Sequence, residues 1–175
     1  MDAVEVVGPA GTVDETLVRA KYERLTRLLI ARKATITTME SCTAGQLASL
    51  ITDTEGSSAV LRGAFVTYSN EAKVQMGLPA KVIEQHGVYS VPTANAMAQT
   101  CRVAFDADVA IGVTGTFGNV DPNNADSCPG EVFFALAMAE ATRCFHCLVP
   151  AQPSRYAYKL YMADVIADQL FGLLG

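Results

Sequence analysis

Nowhere in this chain do lysine and arginine cluster: thirteen basic residues are scattered among eighteen acidic ones, for a formal net charge of −5. Phosphate backbones and anionic lipid surfaces are held by grouped cations, so this distribution argues against a nucleic-acid or membrane-surface role. No apolar run reaches the roughly 20 residues a bilayer span needs, and Met1–Thr12 lacks the charged-then-apolar pattern of a secretory signal. The expected compartment is the cytoplasm. Histidine is equally scarce. His86 follows a helical segment and His146 lies in an apolar run, each far from the other, which argues against a histidine-based nucleophile triad.

The five cysteines are odd in number and have no framework spacing, as expected of thiols in a reducing compartment rather than of a disulfide scaffold. Cys144 and Cys147 form a CxxC, but inside a strand-like run their side chains point to opposite faces, and no second ligand pair exists elsewhere. A redox or zinc role would need convergent thiols. Internal repeats and domain linkers are also missing.

What is present is a 175-residue chain, half of it apolar and 18% charged, enough for one domain with a full core. Residues 1–12, with Gly8, Pro9 and Gly11, read as a flexible N-terminal arm, and residues 13–175 as the domain. Asp14 opens an amphipathic helix whose apolar positions, Leu17 to Leu29, fall near 3.6 spacing. A strand over 34–39, a helix over 45–52 and a strand over 64–69 follow. Two short helices (71–76 and 79–85) lead to a longer one over 92–105, opened by Ser90 and Pro92. Residues 108–113 read as a buried strand, 131–138 and 143–149 as a hairpin, and 153–174 as the closing helix. Strands alternating with helices, plus one hairpin, predict an α/β fold with a mixed sheet. In such folds ligands collect where loops leave the carboxyl ends of strands, here at 40–45, 69–73 and 114–130.

Chemistry concentrates in Gly56-Ser57-Ser58 and in Thr67-Tyr68-Ser69-Asn70-Glu71-Ala72-Lys73. A serine hydroxyl needs a base, and a lysine can serve if its amine is neutral. At pH 7 that costs a free lysine about 4–5 kcal/mol, which burial or a neighbouring cation must supply. On spacing alone the plainer reading stands: Ser57 and Ser58 cap a turn, Tyr68 packs in the core, and Lys73 is a solvated helix residue.

Glu40-Ser41-Cys42-Thr43-Ala44-Gly45, Gly56-Ser57-Ser58, the string from Arg62 to Lys73, and Val113-Thr114-Gly115 together resemble the CinA C-terminal domain family, over about Lys21 to the C-terminus. The resemblance implies a three-layer α/β/α sandwich and hydrolysis of nicotinamide mononucleotide to nicotinic acid mononucleotide and ammonia, in pyridine-nucleotide recycling. It implies a site with no metal or cofactor, in which Ser58 is the nucleophile, Lys73 the base and Tyr68 an assisting phenol. Backbone N–H groups around Ser58 would hold the oxyanion. Ser41, Thr43, Gly45, Thr114 and Gly115 would bind the amide or ribose, and Arg155, in Pro153-Ser154-Arg155, the phosphate. The expected form is stand-alone, without the second domain of longer relatives, and the expected assembly is a homodimer.

Three features depart from the family pattern. Ala44 replaces a glycine, tolerable unless that position needs a positive φ. Lys159 replaces an arginine. The segment Thr116–Asn124 replaces a glycine-rich loop and brings Phe117 and Asp121, with Asp126 just beyond it, to a border expected to face an anionic ligand. These changes leave two alternatives open: an amidase with a shifted, less phosphorylated substrate, or a catalytically silent ligand-binding or interaction domain on the same scaffold.

Overall fold

A computed structural model describes residues 2–175. Six strands form one mixed sheet: β1 (Val4–Val6), β2 (Ile36–Glu40), β3 (Leu61–Val66), β4 (Val109–Gly115), β5 (Glu131–Ala137) and β6 (Thr142–Leu148), in the order β1-β6-β5-β4-β2-β3. β2 pairs parallel with both β3 and β4, while β4, β5 and β6 run antiparallel to one another in turn. The six α-helices among the described residues are α1 (Glu15–Arg32), α2 (Gln46–Thr52), α3 (Asn70–Gln75), α4 (Ala80–His86), α5 (Val91–Phe105) and α6 (Arg155–Leu174). A single 3-10 turn over Ser57–Ala59 precedes β3.

Local chemistry sets the helix starts. The Asp14 carboxylate accepts from the N–H groups of Thr16 and Leu17, and the hydroxyls of Ser69, Ser90 and Ser154 each cap the helix that follows. Capping serves the first-turn N–H groups that have no intrahelical partner. Gly87, with φ +77°, ends α4 in a backbone conformation open to glycine.

The two faces of the sheet are chemically unlike. Val109, Ile111 and Val113 of β4 point into one core, with α1, α2 and α6 above them. Tyr22, Leu25, Leu29, Leu50, Ile166 and Leu170 fill that layer. The opposite face carries small residues, Ala110, Ala135 and Ala137, beside Met39, and against it pack Ala94, Met97, Ala98 and Cys101 of α5. Gly112 shows how close the approach is: a Cβ there would stand 2.3 Å from the Ala94 carbonyl oxygen and 2.4 Å from the Ala98 nitrogen. The result is helices on both faces of a sheet, the three-layer arrangement expected. Cys144 and Cys147 lie on opposite faces of β6, one in each core.

Within the segment read as an arm, Val4–Val6 pairs parallel with Phe145–Cys147 and adds an edge strand; Met1 lies outside the described residues. Three residues leave too short a pattern to read, and their partner is about 140 positions away. β3 also starts and ends three residues earlier than expected. Thr67 N still bonds the Glu40 carbonyl at 2.8 Å, but Tyr68 then turns outward and Ser69 becomes the cap of α3. No helix among the described residues is long and apolar enough to cross a membrane.

The turn between β2 and α2 is held in the left-handed region at two consecutive residues, Ala44 (φ +49°) and Gly45 (φ +87°). The position that departs from the family glycine is therefore one that needs a positive φ. An L-residue there costs roughly 1–2 kcal/mol, partly offset by the greater freedom glycine has when unfolded. Ala44→Gly is expected to raise the unfolding free energy by about 0.5–1 kcal/mol, read as a higher urea midpoint with an unchanged m-value.

Candidate active site

Because β2, β3 and β4 run parallel and side by side, the segments leaving their carboxyl ends emerge together. All three meet around a cleft of roughly 830 Å³. Ser41 and Cys42 line it from the first, Tyr68 to Ala72 from the second, and Gly115 to Asn124 from the third, with Arg155 of α6 closing one end.

The floor is built from two buried groups. Lys73, 1% exposed, donates from Nζ to Ser41 Oγ at 3.2 Å and to the Thr67 carbonyl at 2.9 Å. Ser41 is 6% exposed and reaches the cleft from above the amine. Its own N–H bonds the Val113 carbonyl at 3.1 Å, tying the residue to β4. Burial lowers the Lys73 pKa from its ordinary value of 10.5 to about 8, with the carboxylates of Asp121 and Glu71 partly countering the shift. The Cys42 thiol is pushed up to about 12 by burial and stays protonated.

Glu40 holds this floor in place. Its carboxylate is fully buried and accepts from Gly45 N (2.9 Å), Leu47 N (3.1 Å), Ala48 N (3.0 Å) and Thr38 Oγ1 (2.9 Å). It thereby caps α2 from the last residue of β2 and closes the Ser41–Gly45 turn.

The residues expected at the site fall into three groups. Ser41, Lys73, Tyr68, Gly115 and Arg155 come to the cleft or its floor. Tyr68 is 63% exposed, and its hydroxyl accepts from Arg155 Nη2 at 3.1 Å rather than meeting Lys73. Gly115 lies where a Cβ would stand 2.5 Å from the Glu131 carbonyl oxygen, so the close strand crossing requires glycine. Thr43, Gly45 and Thr114 lie outside the cleft lining. Thr43 and Thr114 are fully buried, Thr114 donating to the Val88 carbonyl at 3.0 Å, and Gly45 serves Glu40.

Ser58 stands apart. It is exposed, on the 3-10 turn before β3, whereas Lys73 lies beyond the far end of that strand. Six strand residues separate the two ends by about 20 Å. Within the chain, the serine brought to Lys73 is Ser41.

Sequence reasoning also missed how the segment after Gly115 is folded. Phe117 is buried and stacks on Tyr158 (5.0 Å between centroids), with the Arg155 guanidinium 5.6 Å over its ring. Asp121 accepts from the Tyr89 hydroxyl at 2.5 Å, from Asn124 Nδ2 at 2.6 Å and from Asn123 N at 2.9 Å. These contacts hold its carboxyl below the usual range, the Tyr89 hydroxyl foremost. Asn70 Nδ2 donates across the cleft to Asn124 Oδ1 at 2.7 Å. Asp126 turns away from the cleft and accepts from Tyr89 N at 3.1 Å. The density of Asn and Asp, which favour side-chain-to-backbone turns, was the available signal.

Comparison with known proteins agrees with this architecture. The CinA C-terminal domain family matches residues 19–163. The nicotinamide-nucleotide amidohydrolase PncC of Escherichia coli is 45% identical over 118 residues, covering 67% of this chain and 71% of that protein. A competence-damage inducible protein of Symbiobacterium thermophilum is 44% identical over 128 residues, covering 73% of this chain and 29% of that longer protein. Among solved structures, the competence/damage inducible protein CihA of Agrobacterium tumefaciens superposes with a TM-score of 0.81 at 26% identity, covering 90% of this chain and 96% of that one. With the match running through most of the chain and the same fold in solved relatives, the protein belongs to the CinA C-terminal domain family.

Proposed function

We propose that this protein is an amidohydrolase that converts nicotinamide mononucleotide to nicotinic acid mononucleotide and ammonia, with Ser41 as nucleophile and Lys73 as base. The observation that carries the reading is the buried Lys73–Ser41 contact at the cleft floor. A relative 45% identical that bears the amidohydrolase name supports the substrate. With the Lys73 pKa near 8, the neutral amine costs only about 1.4 kcal/mol at pH 7, against about 4–5 kcal/mol for a solvated lysine. A purely binding domain has no use for a lysine held close to neutrality beneath a serine.

Neutral Lys73 takes the Ser41 proton as Oγ attacks the carboxamide carbon. The tetrahedral oxyanion needs fixed donors. Gly45, Leu47 and Ala48 give their N–H groups to Glu40, Ala44 N bonds the Ser41 carbonyl, and Gln46 N bonds the Thr43 carbonyl. The N–H group of Cys42, directly after the nucleophile and in the cleft lining, is the donor we assign. Lys73 then returns the proton to the departing ammonia, and water, deprotonated in turn by Lys73, hydrolyses the nicotinoyl ester. Arg155, at the first turn of α6 and presented beside Tyr68, is assigned to the 5′-phosphate, which both its guanidinium and the helix N-terminus favour.

Ammonia release from nicotinamide mononucleotide tests the assignment. Ser41→Ala should lower kcat by about a thousandfold or more, while Ser58→Ala should stay within roughly twofold of the parent. The opposite ranking would return the nucleophile to Ser58. Because the base must be neutral, kcat/KM should rise about tenfold per pH unit below pH 8 and level off above it.

Stability carries an independent signature of the same amine. The folded pKa of Lys73 is depressed, so between about 8 and 10.5 the unfolded chain binds more protons and stability rises with pH across that window. Below pH 8 the buried amine is a full penalty. Lys73→Met should therefore abolish turnover yet raise the unfolding free energy at pH 7 by about 1–2 kcal/mol, the gain disappearing above pH 10.5. Denaturant titrations at pH 7 and pH 10.5 give both numbers.

A further inference from the structure

Asp121 sits in the wall of the cleft, and its charge is felt by Lys73 on the floor. An isolated carboxylate at the border of a phosphate-binding cleft would only repel its ligand. This one, however, is ordered with care. A carboxylate offers about four lone-pair sites. Oδ2 uses two, for the Tyr89 hydroxyl and Asn124 Nδ2, and Oδ1 uses one, for Asn123 N. The Asn123 side chain adds a further hydrogen bond to the same carboxylate. Neighbouring turns hold the frame: Asp121 N donates to Ser127 Oγ at 3.0 Å, and Asn124 is tied to Asn70 on the opposite wall.

The cleft is therefore dipolar. Arg155 places a cation in the lining, held by Tyr68 and Asn119, while Asp121 places an ordered anion on the segment after β4. Glu71, the other carboxylate in the lining, is exposed at the start of α3 and better screened. A pyridine-3-carboxamide substituted at N1 carries a fixed positive charge about one ring width from its amide, whereas the free base carries none. Tyr68 and Tyr89 in the same lining supply aromatic surface of the kind that favours a flat cation.

We infer that Asp121 is the specificity-determining residue of the cleft: its carboxylate selects the cationic ring of an N1-substituted nicotinamide over the neutral free base. The inference rests on the amidohydrolase reading above and assigns to one residue the recognition of the cationic ring that this reading implies. It also gives a reason for the departure from a glycine-rich loop. A zwitterion with a pyridinium near Asp121 and a phosphate near Arg155 matches both charges, so the acidic residue complements the ligand rather than opposing it.

Calorimetric titration of the full chain with 1-methylnicotinamide, a cation without ribose or phosphate, and with nicotinamide tests this directly. The parent protein should bind the cation more tightly, and Asp121→Asn should reduce that preference by about tenfold, the order expected for one charge pair in a half-exposed cleft, with nicotinamide binding unchanged. Equal losses for both probes, or none for the cation, would overturn the inference. A second measurement needs no variant. Raising salt from about 0.02 to about 0.5 M should weaken binding of the cation and spare nicotinamide, and an equal response would count against the charge. Ammonia release separates the two readings. Asp121-dependent selectivity without turnover of nicotinamide mononucleotide would sink the amidohydrolase assignment alone. Turnover with unchanged selectivity in Asp121→Asn would sink the role of Asp121 alone.

Discussion

The site depends on one buried carboxylate. Glu40 is fully enclosed, and an ionised group so placed is tolerable only when its lone pairs are answered. Four donors answer them, three being backbone N–H groups at the start of α2. Each such charge-assisted bond contributes about 1.5–3 kcal/mol. A helix of seven residues has little stability of its own, so this cap decides whether α2 begins at Gln46 at all. Reaching from the last residue of β2 to the first turn of α2 compresses the intervening chain into a tight turn. That compression is what puts Ala44 and Gly45 in the left-handed region and seats Ser41 above the amine.

Lys73 is the complementary constraint. It is one turn into α3, whose start is fixed by the Ser69 cap, and its side chain reaches back beneath the end of β3 to the Thr67 carbonyl. The two groups are stabilised by different means. Glu40 has every donor it needs, so burying it strengthens the fold. Lys73 finds a hydroxyl and a carbonyl but no carboxylate in hydrogen-bond contact, so burying it weakens the fold and sharpens its chemistry. A perturbed lysine beside a serine hydroxyl in a cleft is the pattern that favours a functional over a merely structural reading of the burial.

The sequence was legible where local rules apply and misleading where end-to-end geometry decides. Asp14, Ser69, Ser90 and Ser154 are caps visible as residues ahead of periodic segments, and the strand–helix alternation carries the layer architecture. The choice between Ser58 and Ser41 was different. Ser58 is fifteen positions from Lys73 and Ser41 thirty-two, yet a strand lies between the first pair and carries it to opposite ends of the sheet. β2 and β3 run parallel, so residues just beyond their carboxyl ends become neighbours however far apart they are in the chain. The rule that ligands gather at those ends, applied strictly, favours Ser41 and disfavours any residue preceding β3. Tyr68 illustrates a second limit. An aromatic just past an apolar strand reads as core or as a partner of Lys73, but the chain turns at Thr67 and leaves the ring largely in solvent, where Arg155 meets it.

The cleft is assembled from two layers with few shared contacts. The floor is Glu40, Ser41 and Lys73, fixed by β2, β4 and the caps of α2 and α3. The wall after β4 is held largely by its own turns and by Tyr89 and Asn70 at the rim. None of the hydrogen bonds ordering Asp121 involves Ser41, Lys73 or Glu40. Substitutions in the wall can therefore change which ligand fits without moving Ser41 and Lys73, since sites with no shared partners act nearly independently. The coupling that remains is electrostatic, because the charge of Asp121 is felt at Lys73. A carboxylate in the wall holds the amine somewhat more basic than burial alone would, and a cationic ring seated against that carboxylate cancels part of the effect. On the proposed reading, a bound pyridinium would itself favour the neutral lysine that the proposed amide hydrolysis requires, so that recognition and activation would draw on the same charge.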